Sequence, residues 1–344
     1  MKISICIPQY NRIQFLIKSL QIIELQKYEN IEVVISDDCS SDDTQCQIQQ
    51  LIPNYKYPII YSRNITNMGY DFNYRNCISL ATGLYAFVIG NDDTIYDVDS
   101  ISYLVNFLST NNFPEIGFCN MVEDGKNISL INRAINTGII GTGVDVALKN
   151  YSNFSFVGGL IYKREAFLKY NTNKFDGSIY SQMYLGLLMV CSGEILFSIH
   201  QPLVLKDIVL FNIKRDTYKD KISRKWKEFK IVDSGLHSVI HVLISGLQDS
   251  NHFNEKRAYK IFKRIYSITF PHWVLDYKDN AAYPEAIGLI CGLYPKNNRD
   301  LYLLNIFSKV KIFLIYFFAS FLALVTPTFI YKPFKQKLYS FFKK

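Results

Sequence analysis

Residues 84–93 read LYAFVIGNDD: six apolar or aromatic residues, a glycine, an asparagine and two adjacent carboxylates. The run 84–89 is short and has no polar face, so it reads as a strand buried on both sides. The same signature recurs upstream. Residues 3–7 run into Pro8-Gln9-Tyr10-Asn11-Arg12, and residues 31–36 into Asp37-Asp38-Cys39-Ser40-Ser41-Asp42. Residues 59–62 lead to Arg63-Asn64, with Asn67 and Gly69 just beyond.

Helical patterns fill the gaps. Residues 13–26 repeat apolar side chains at Leu16, Leu20 and Ile23, and 42–51 open with Ser/Asp capping chemistry. Residues 71–81 close before Gly83, 99–109 are again helical, and 116–121 read as a fifth strand. Strand–helix alternation with fully apolar strands predicts an α/β fold, a mostly parallel sheet with flanking helices. From about residue 122 the rhythm loosens around Gly138, Gly141 and Gly143, and 181–210 read as a helix and two short strands. Beyond about 215 the chain turns helical and basic. The expected division is 1–212 for the α/β domain and 213–344 for a helical basic C-terminal region.

The 344 residues are 49% hydrophobic and 20% charged, which excludes a disordered chain, and 10 Pro with 17 Gly exclude a collagen-like one. Seven cysteines form no CxxC pair and sit mostly in apolar runs, as buried thiols do rather than a disulfide framework or zinc ribbon. The net charge of +8 is unevenly spread: residues 1–200 hold 14 Lys+Arg against 19 Asp+Glu, and residues 201–344 hold 24 against 11. A basic C-terminal portion points to a partner that carries phosphates.

Residues 312–331, IFLIYFFASFLALVTPTFIY, carry no charge, with Lys309 and Lys311 before them and Lys332, Lys335, Lys337, Lys343 and Lys344 after. Pro327 is expected to end the helix after about 15 residues, roughly 22 Å. The expectation is a segment, about 309–344, that lies in or dips into an anionic membrane surface. A spanning helix and a buried helix of a soluble protein are the alternatives. Arg224-Lys225-Trp226-Lys227 suits the same surface, or a lipid diphosphate, with fewer assumptions than nucleic acid, which is not an expected partner.

In an open parallel sheet, ligands collect beyond the carboxyl ends of the strands. Each polar cluster has a bland explanation when taken singly, because Asp and Asn favour turns and helix caps. Four such clusters at four strand ends point instead to one ligand-binding rim. The first turn has no glycine, which excludes a dinucleotide-binding turn, and no GxxxxGK[ST] occurs. Asp92 and Asp93 repel each other unless a cation sits beside them. Hard carboxylate oxygens suit Mg²⁺ or Mn²⁺ held together with substrate phosphates, and such an ion neutralises charge on a departing diphosphate. Asp233, His237 and His241, spaced i, i+4, i+8, read as a solvated or half-buried helix face rather than a metal site.

The ordered set ISICIPQYNR (3–12), IEVVISDDCSSDDT (31–44), RNITNMG (63–69), Asn76, ATGLY (81–85), NDD (91–93) and FVGGLIYKREAF (156–167) resembles the family 2 glycosyltransferases. The resemblance implies a GT-A-like fold, a nucleoside diphosphate sugar donor, a divalent metal and an inverting displacement at the anomeric carbon. By that resemblance Pro8, Tyr10 and Arg12 line the nucleotide pocket, and Asp38, with Asp37 as the alternative, meets the base. Asp92 faces the sugar or ribose, and Asp93 ligates the metal. Arg63, Asn67 and Asn91, at the same strand ends, complete the expected donor site.

Two departures stand out. Gly90 occupies the first Asp position of the family's Asp-x-Asp-Asp, and no Glu-Asp pair follows the GG stretch, where 179–184 read IYSQMY. The acceptor base is therefore sought at Asp176, which serves equally well as a cap for the following helix, with Glu194 and Asp207 as further candidates.

The function expected from these readings is transfer of a sugar from a nucleoside diphosphate sugar to a polyprenyl-diphosphate-linked saccharide, for O-antigen or capsule. The expected place is the cytoplasmic face of a bacterial inner membrane, as a peripheral or monotopic protein. One alternative is a catalytically degenerate GT-A protein that binds a nucleotide sugar or a partner. A nucleotidyltransferase, the other, lacks its triphosphate loop here.

Overall fold

The computed structural model describes residues 1–125, 130–210, 231, 235–279 and 283–331. The chain divides into two compact units, Met1–Lys214 and Arg215–Lys344.

The first unit is built on one sheet. Strands β1 (Ile3–Gln9), β2 (Ile31–Asp37), β3 (Ile59–Arg63) and β4 (Tyr85–Val88) run parallel in the order β3-β2-β1-β4. Their registers set Pro8 beside Ser36, and Asp37 beside both Gln9 and Arg63, so their polar ends finish at one level. The other strands are β5 (Thr94–Ile95), β6 (Ile116–Glu123), β7 (Leu130–Ile131), β8 (Gly138–Gly141), β9 (Leu160–Lys163) and β10 (Leu196–Lys206).

The path continues β4-β9-β6-β10-β5, with β7 beside β6 and β8 beside β10. β10 is parallel to β6, whereas β9 enters antiparallel between β4 and β6. Its sequence, LIYK after two glycines, has no signal for that placement. The 181–210 region forms the helix Ser181–Cys191 and a single 11-residue strand, β10, rather than two short strands. Two register shifts between Ile199 and Val204 bend β10 midway, which gave its sequence the look of a break.

Helices α1 (Ile13–Ile23), α2 (Thr44–Leu51), α3 (Tyr70–Leu80) and α4 (Ser100–Thr110) cover the sheet. α1 buries Ile13, Leu16, Leu20 and Ile23, the stripe that a period of 3.6 residues dictates, in a core that also holds Ile5, Ile7, Val33, Ile35 and Phe87. Each such aliphatic side chain contributes about 2 kcal/mol by leaving water. Then come α5 (Val144–Asn150), α6 (Arg164–Tyr170) and α7 (Ser181–Cys191).

The described part of the second unit is helical: α8 (Leu236–Asp249), α9 (Glu255–Arg264), α10 (Phe270–Asp279), α11 (Tyr283–Gly292) and α12 (Ile306–Val325). The Arg224–Lys227 run and Asp233 lie outside the described residues. His241 meets Asp300 at 3.0 Å and His237 lies 3.4 Å from the Tyr266 hydroxyl, so the two histidines face different partners.

α12 begins earlier than its apolar run. The Asn305 side chain accepts from Ser308 N at 2.8 Å and caps the helix, which then spans 20 residues, about 30 Å, before Pro327. Ser308, Ile312, Tyr316, Ala319, Ser320 and Ala323 form its buried stripe. Phe307, Val310, Leu314, Phe317, Phe318, Phe321 and Val325 are exposed. At its end the Lys278 ammonium donates to the carbonyls of Ala323 and Thr326, at 2.7 and 2.9 Å, where the helix dipole favours a cation.

In the first unit Glu32 ties β1, β2 and the turn before β4 together. Its buried carboxylate pairs with Lys2 and accepts from Ser4 Oγ at 2.6 Å and from Thr82 N at 2.6 Å. Burial alone raises its pKa, but the bonds from Lys2, Ser4 and Thr82 outweigh that and hold it at about 2. A depressed carboxylate stabilises the fold above its unfolded-state pKa and loses that contribution as pH falls. Urea unfolding is therefore expected to show on the order of 3 kcal/mol lost between about pH 4.5 and pH 2 in wild type, and a flatter profile in Glu32→Gln.

Candidate functional site

The four strand ends meet. Gln9, fully buried, donates its amide to Thr44 Oγ1 at 3.0 Å and accepts from Asn91 Nδ2 at 3.0 Å. Its carbonyl accepts from Asp38 N at 2.9 Å and Asn73 Nδ2 at 3.1 Å. Asn11 is laced to the second cluster: its N–H donates to Ser40 Oγ at 3.0 Å and its side-chain oxygen accepts from Ser41 N at 2.7 Å. Tyr10 stands 46% exposed beside this seam. Pro8 is half-buried.

The acidic pair after β2 is turned inward. Asp37 is fully buried and accepts from Ser40 N at 2.9 Å and the Tyr61 hydroxyl at 2.7 Å, with Arg63 Nε at 3.6 Å. Asp38, 3% exposed, accepts from Asn64 Nδ2 at 2.8 Å, Met68 N at 2.7 Å and Gly69 N at 2.9 Å. The Asp38 carboxylate thus shapes the segment 64–69, in which Asn67 Oδ1 accepts from Gly69 N at 3.1 Å. Arg63 bridges the same turn by donating to the Ser40 carbonyl at 3.1 Å. Asn91 spends its amide on Gln9 and, at 3.2 Å, on the Tyr10 carbonyl.

Beyond β4 lies the charged centre. One carboxylate oxygen from each of Asp92, Asp93 and Asp207 lies within 4.8 Å of the others. Asp92 pairs with Arg12. Asp93 is 1% exposed and accepts from Asp207 N at 3.0 Å and Gly90 N at 3.2 Å. Burial, then the neighbouring Asp92 charge, pushes its pKa up to about 7, against the opposing bond from Asp207 N.

Asp207 follows β10 directly, and antiparallel pairing of Leu205 with Thr94 and Val204 with Ile95 carries it to Asp93 across the gap in sequence. Lys206 Nζ lies 2.6 Å from Asp207 Oδ2. Sequence reading named Asp207 only as a possible base and passed over Lys206. The rule already applied to the first four strands, polar residues at a parallel strand's end, also covers β10.

Gly90 looked like a lost carboxylate; in the structure the Asp93 carboxylate folds back over it. A Cβ at Gly90 would stand 2.8 Å from Asp93 Oδ2, and one at Gly158 would stand 2.7 Å from the same atom. The Gly158 turn is held by buried Arg133, which donates to the carbonyls of Phe156 at 2.8 Å and Asn153 at 3.1 Å. The donor set, three hard carboxylates around a cradle that side chains would fill, fits Mg²⁺ or Mn²⁺.

Asp176 is not part of this group. Arg75 grips its carboxylate bidentately, with Nε at 2.9 Å from Oδ1 and Nη2 on Oδ2, and also donates to Asn171 at 3.0 Å. Glu194 is engaged by Lys169 at 3.1 Å and the Tyr170 hydroxyl at 3.0 Å.

The chain is similar in sequence and fold to known glycosyltransferases. Residues 4–170 match the model of Glycosyl transferase family 2. The chain is 31% identical over 229 residues to the abequosyltransferase RfbV of Salmonella typhimurium, covering 60% of this chain and 66% of that protein. It is 27% identical over 128 residues to the GalNAc(5)-diNAcBac-PP-undecaprenol beta-1,3-glucosyltransferase of Campylobacter jejuni, covering 37% of this chain and 41% of the relative.

Among solved structures it superposes on Staphylococcus aureus TarS 1–349 in complex with UDP with a TM-score of 0.61, at 14% identity over 94% of this chain and 91% of TarS 1–349. The mannosyltransferase PcManGT of Pyrobaculum calidifontis, in complex with GDP-Man and Mn²⁺, gives 0.53, at 13% identity over 98% of this chain and 84% of its own. These likenesses show a GT-A fold. From the shared motifs, the family match and the fold together, the chain belongs to glycosyl transferase family 2.

Proposed function

We propose that this protein transfers a sugar, with inversion, from a nucleoside diphosphate sugar to a polyprenyl-diphosphate-linked saccharide during bacterial surface-polysaccharide synthesis, of the O-antigen or capsule type. The observation that carries this reading is the meeting of Arg12, Asp92, Asp93 and Asp207 at the edge formed by the ends of β1, β4 and β10. The relatives support it: one is named for abequose transfer and another for glucose transfer to an undecaprenol diphosphate-linked chain.

In this reading Tyr10, Pro8, Arg63 and Asn67 border the nucleotide, and Asp37 and Asp38 hold that border in shape. Asp93, with Asp92 and Asp207, holds a divalent ion, which when bound offsets charge on the leaving diphosphate. Asp92 orients the sugar or ribose. Asp176, fixed by Arg75, takes the proton of the acceptor hydroxyl as it attacks. The degenerate-scaffold alternative draws on Gly90 and on the missing Glu-Asp pair; three carboxylates gathered at one point favour the metal-holding reading over it.

The second unit supplies the membrane part of the proposal. α12 keeps its small and polar stripe inside the unit and turns a phenylalanine-rich face outward, with Lys309 and Lys311 near its start. That division suits a helix lying in the surface of an anionic bilayer at the cytoplasmic face of the inner membrane.

Three outcomes follow. Mn²⁺ affinity, read from the electron paramagnetic resonance of the free ion, is expected to fall about tenfold per pH unit below pH 7, because Asp93 must lose its proton to bind; Asp93→Ala is expected to abolish both binding and turnover. Asp176→Asn is expected to lower turnover by a factor of roughly 10² to 10⁴ with unchanged donor affinity; retained turnover with a lowered melting temperature reassigns Asp176 to anchoring Arg75. Phe318→Glu with Phe321→Glu is expected to abolish flotation with phosphatidylglycerol vesicles while leaving the far-ultraviolet spectrum unchanged.

A further inference from the structure

The two outer acids of the cluster each carry a resident cation. Arg12 Nη1 pairs with Asp92 Oδ2, and Lys206 Nζ sits on Asp207 Oδ2 at 2.6 Å. The two cations come from different edges of the site, the turn after β1 and the last residue of β10, and their side chains remain 31% and 20% exposed. Lys206 Nζ also lies 5.1 Å from the centre of the Phe156 ring, a cation–π contact that keeps its head beside the cluster.

The charge balance gives these pairs a purpose. Three ionised carboxylates alone would attract a divalent ion strongly and would then leave the site negative and repel a diphosphate. With Arg12 and Lys206 present the cluster is close to neutral before the metal arrives. Once a divalent ion occupies the carboxylates, both side chains give up these two ion pairs and become donors of charge-assisted hydrogen bonds to phosphate oxygens.

We propose that Arg12 and Lys206 are exchangeable counter-ions: they neutralise Asp92 and Asp207 in the metal-free protein, give those carboxylates up to the divalent ion, and turn to the diphosphate of the donor. The proposal rests on the donor-site reading above. No bond is made or broken in the exchange; ion pairs are traded. Metal and diphosphate then strengthen each other's binding, and by linkage the effect is reciprocal.

The test uses the full chain, Mn²⁺ alone and inorganic diphosphate, which needs no knowledge of the base. Mn²⁺ is titrated into wild type, Arg12→Met, Lys206→Met and Arg12→Lys, and inorganic diphosphate is then titrated calorimetrically into the Mn²⁺-saturated proteins. Each Met variant is expected to bind Mn²⁺ about threefold or more tightly than wild type, and inorganic diphosphate on the order of tenfold more weakly. Arg12→Lys, which keeps the charge, is expected to stay near wild type in both. Met variants that bind Mn²⁺ as wild type does or more weakly, or that bind diphosphate unchanged, overturn the proposal. Asp93→Asn tests the underlying reading separately: if it binds Mn²⁺ like wild type, the cluster is not the metal site and the donor assignment itself fails.

Discussion

The rim where the strand ends meet depends on one buried residue. Gln9 has no access to solvent, and a buried amide without partners costs several kcal/mol. The side-chain amide is satisfied by Thr44 at the start of α2 and Asn91 in the turn after β4, and the main-chain carbonyl of Gln9 by Asp38 at the end of β2 and Asn73 in α3. Only an arrangement that brings all four to the end of β1 satisfies Gln9. The same arrangement brings Arg12 to Asp92 and sets Tyr10 at the edge of the group. A local hydrogen-bonding requirement thus becomes a global one, with Tyr10 next to Gln9 and Asp92 next to Asn91 in the chain.

Much of this was legible from the chain. Short apolar runs each ending in a polar cluster announced the parallel half of the sheet, because period and composition are local properties. Strand ends shifted by only a residue or two, and α1 buried the stripe that its spacing foretold. What could not be read depended on distant partners. β9 slots antiparallel between β4 and β6 through contacts with strands on either side, and nothing in LIYK specifies which neighbours it finds. Asp38 looked like a bare carboxylate offered to a base, yet the N–H groups of Met68 and Gly69 close on it. α12 starts at Ile306 because Asn305 caps it, a signal present in the sequence but outshone by the uncharged run downstream.

Gly90 shows how a departure from a family pattern changes meaning once atoms are placed. In a row of letters it stands where a carboxylate is expected. In space it and Gly158 flank one oxygen of Asp93 so closely that a methyl group at either position would require that carboxylate to shift. Arg133 holds the Gly158 side of that cradle through backbone carbonyls, a role that uses the several donors of its guanidinium.

The bent strand β10 carries an implication for how this enzyme family can vary. A strand turns successive side chains to opposite faces, and β10 slips register twice between Ile199 and Val204 before its last residues meet β5 and deliver Asp207 to Asp93. Gaining or losing one residue there would rotate everything downstream by half a pleat and point that aspartate to the opposite side of the sheet. For the segment from 199 to 206, spelling is therefore negotiable at several positions while length is not. Divergence among relatives should accumulate there as replacement, never as an indel.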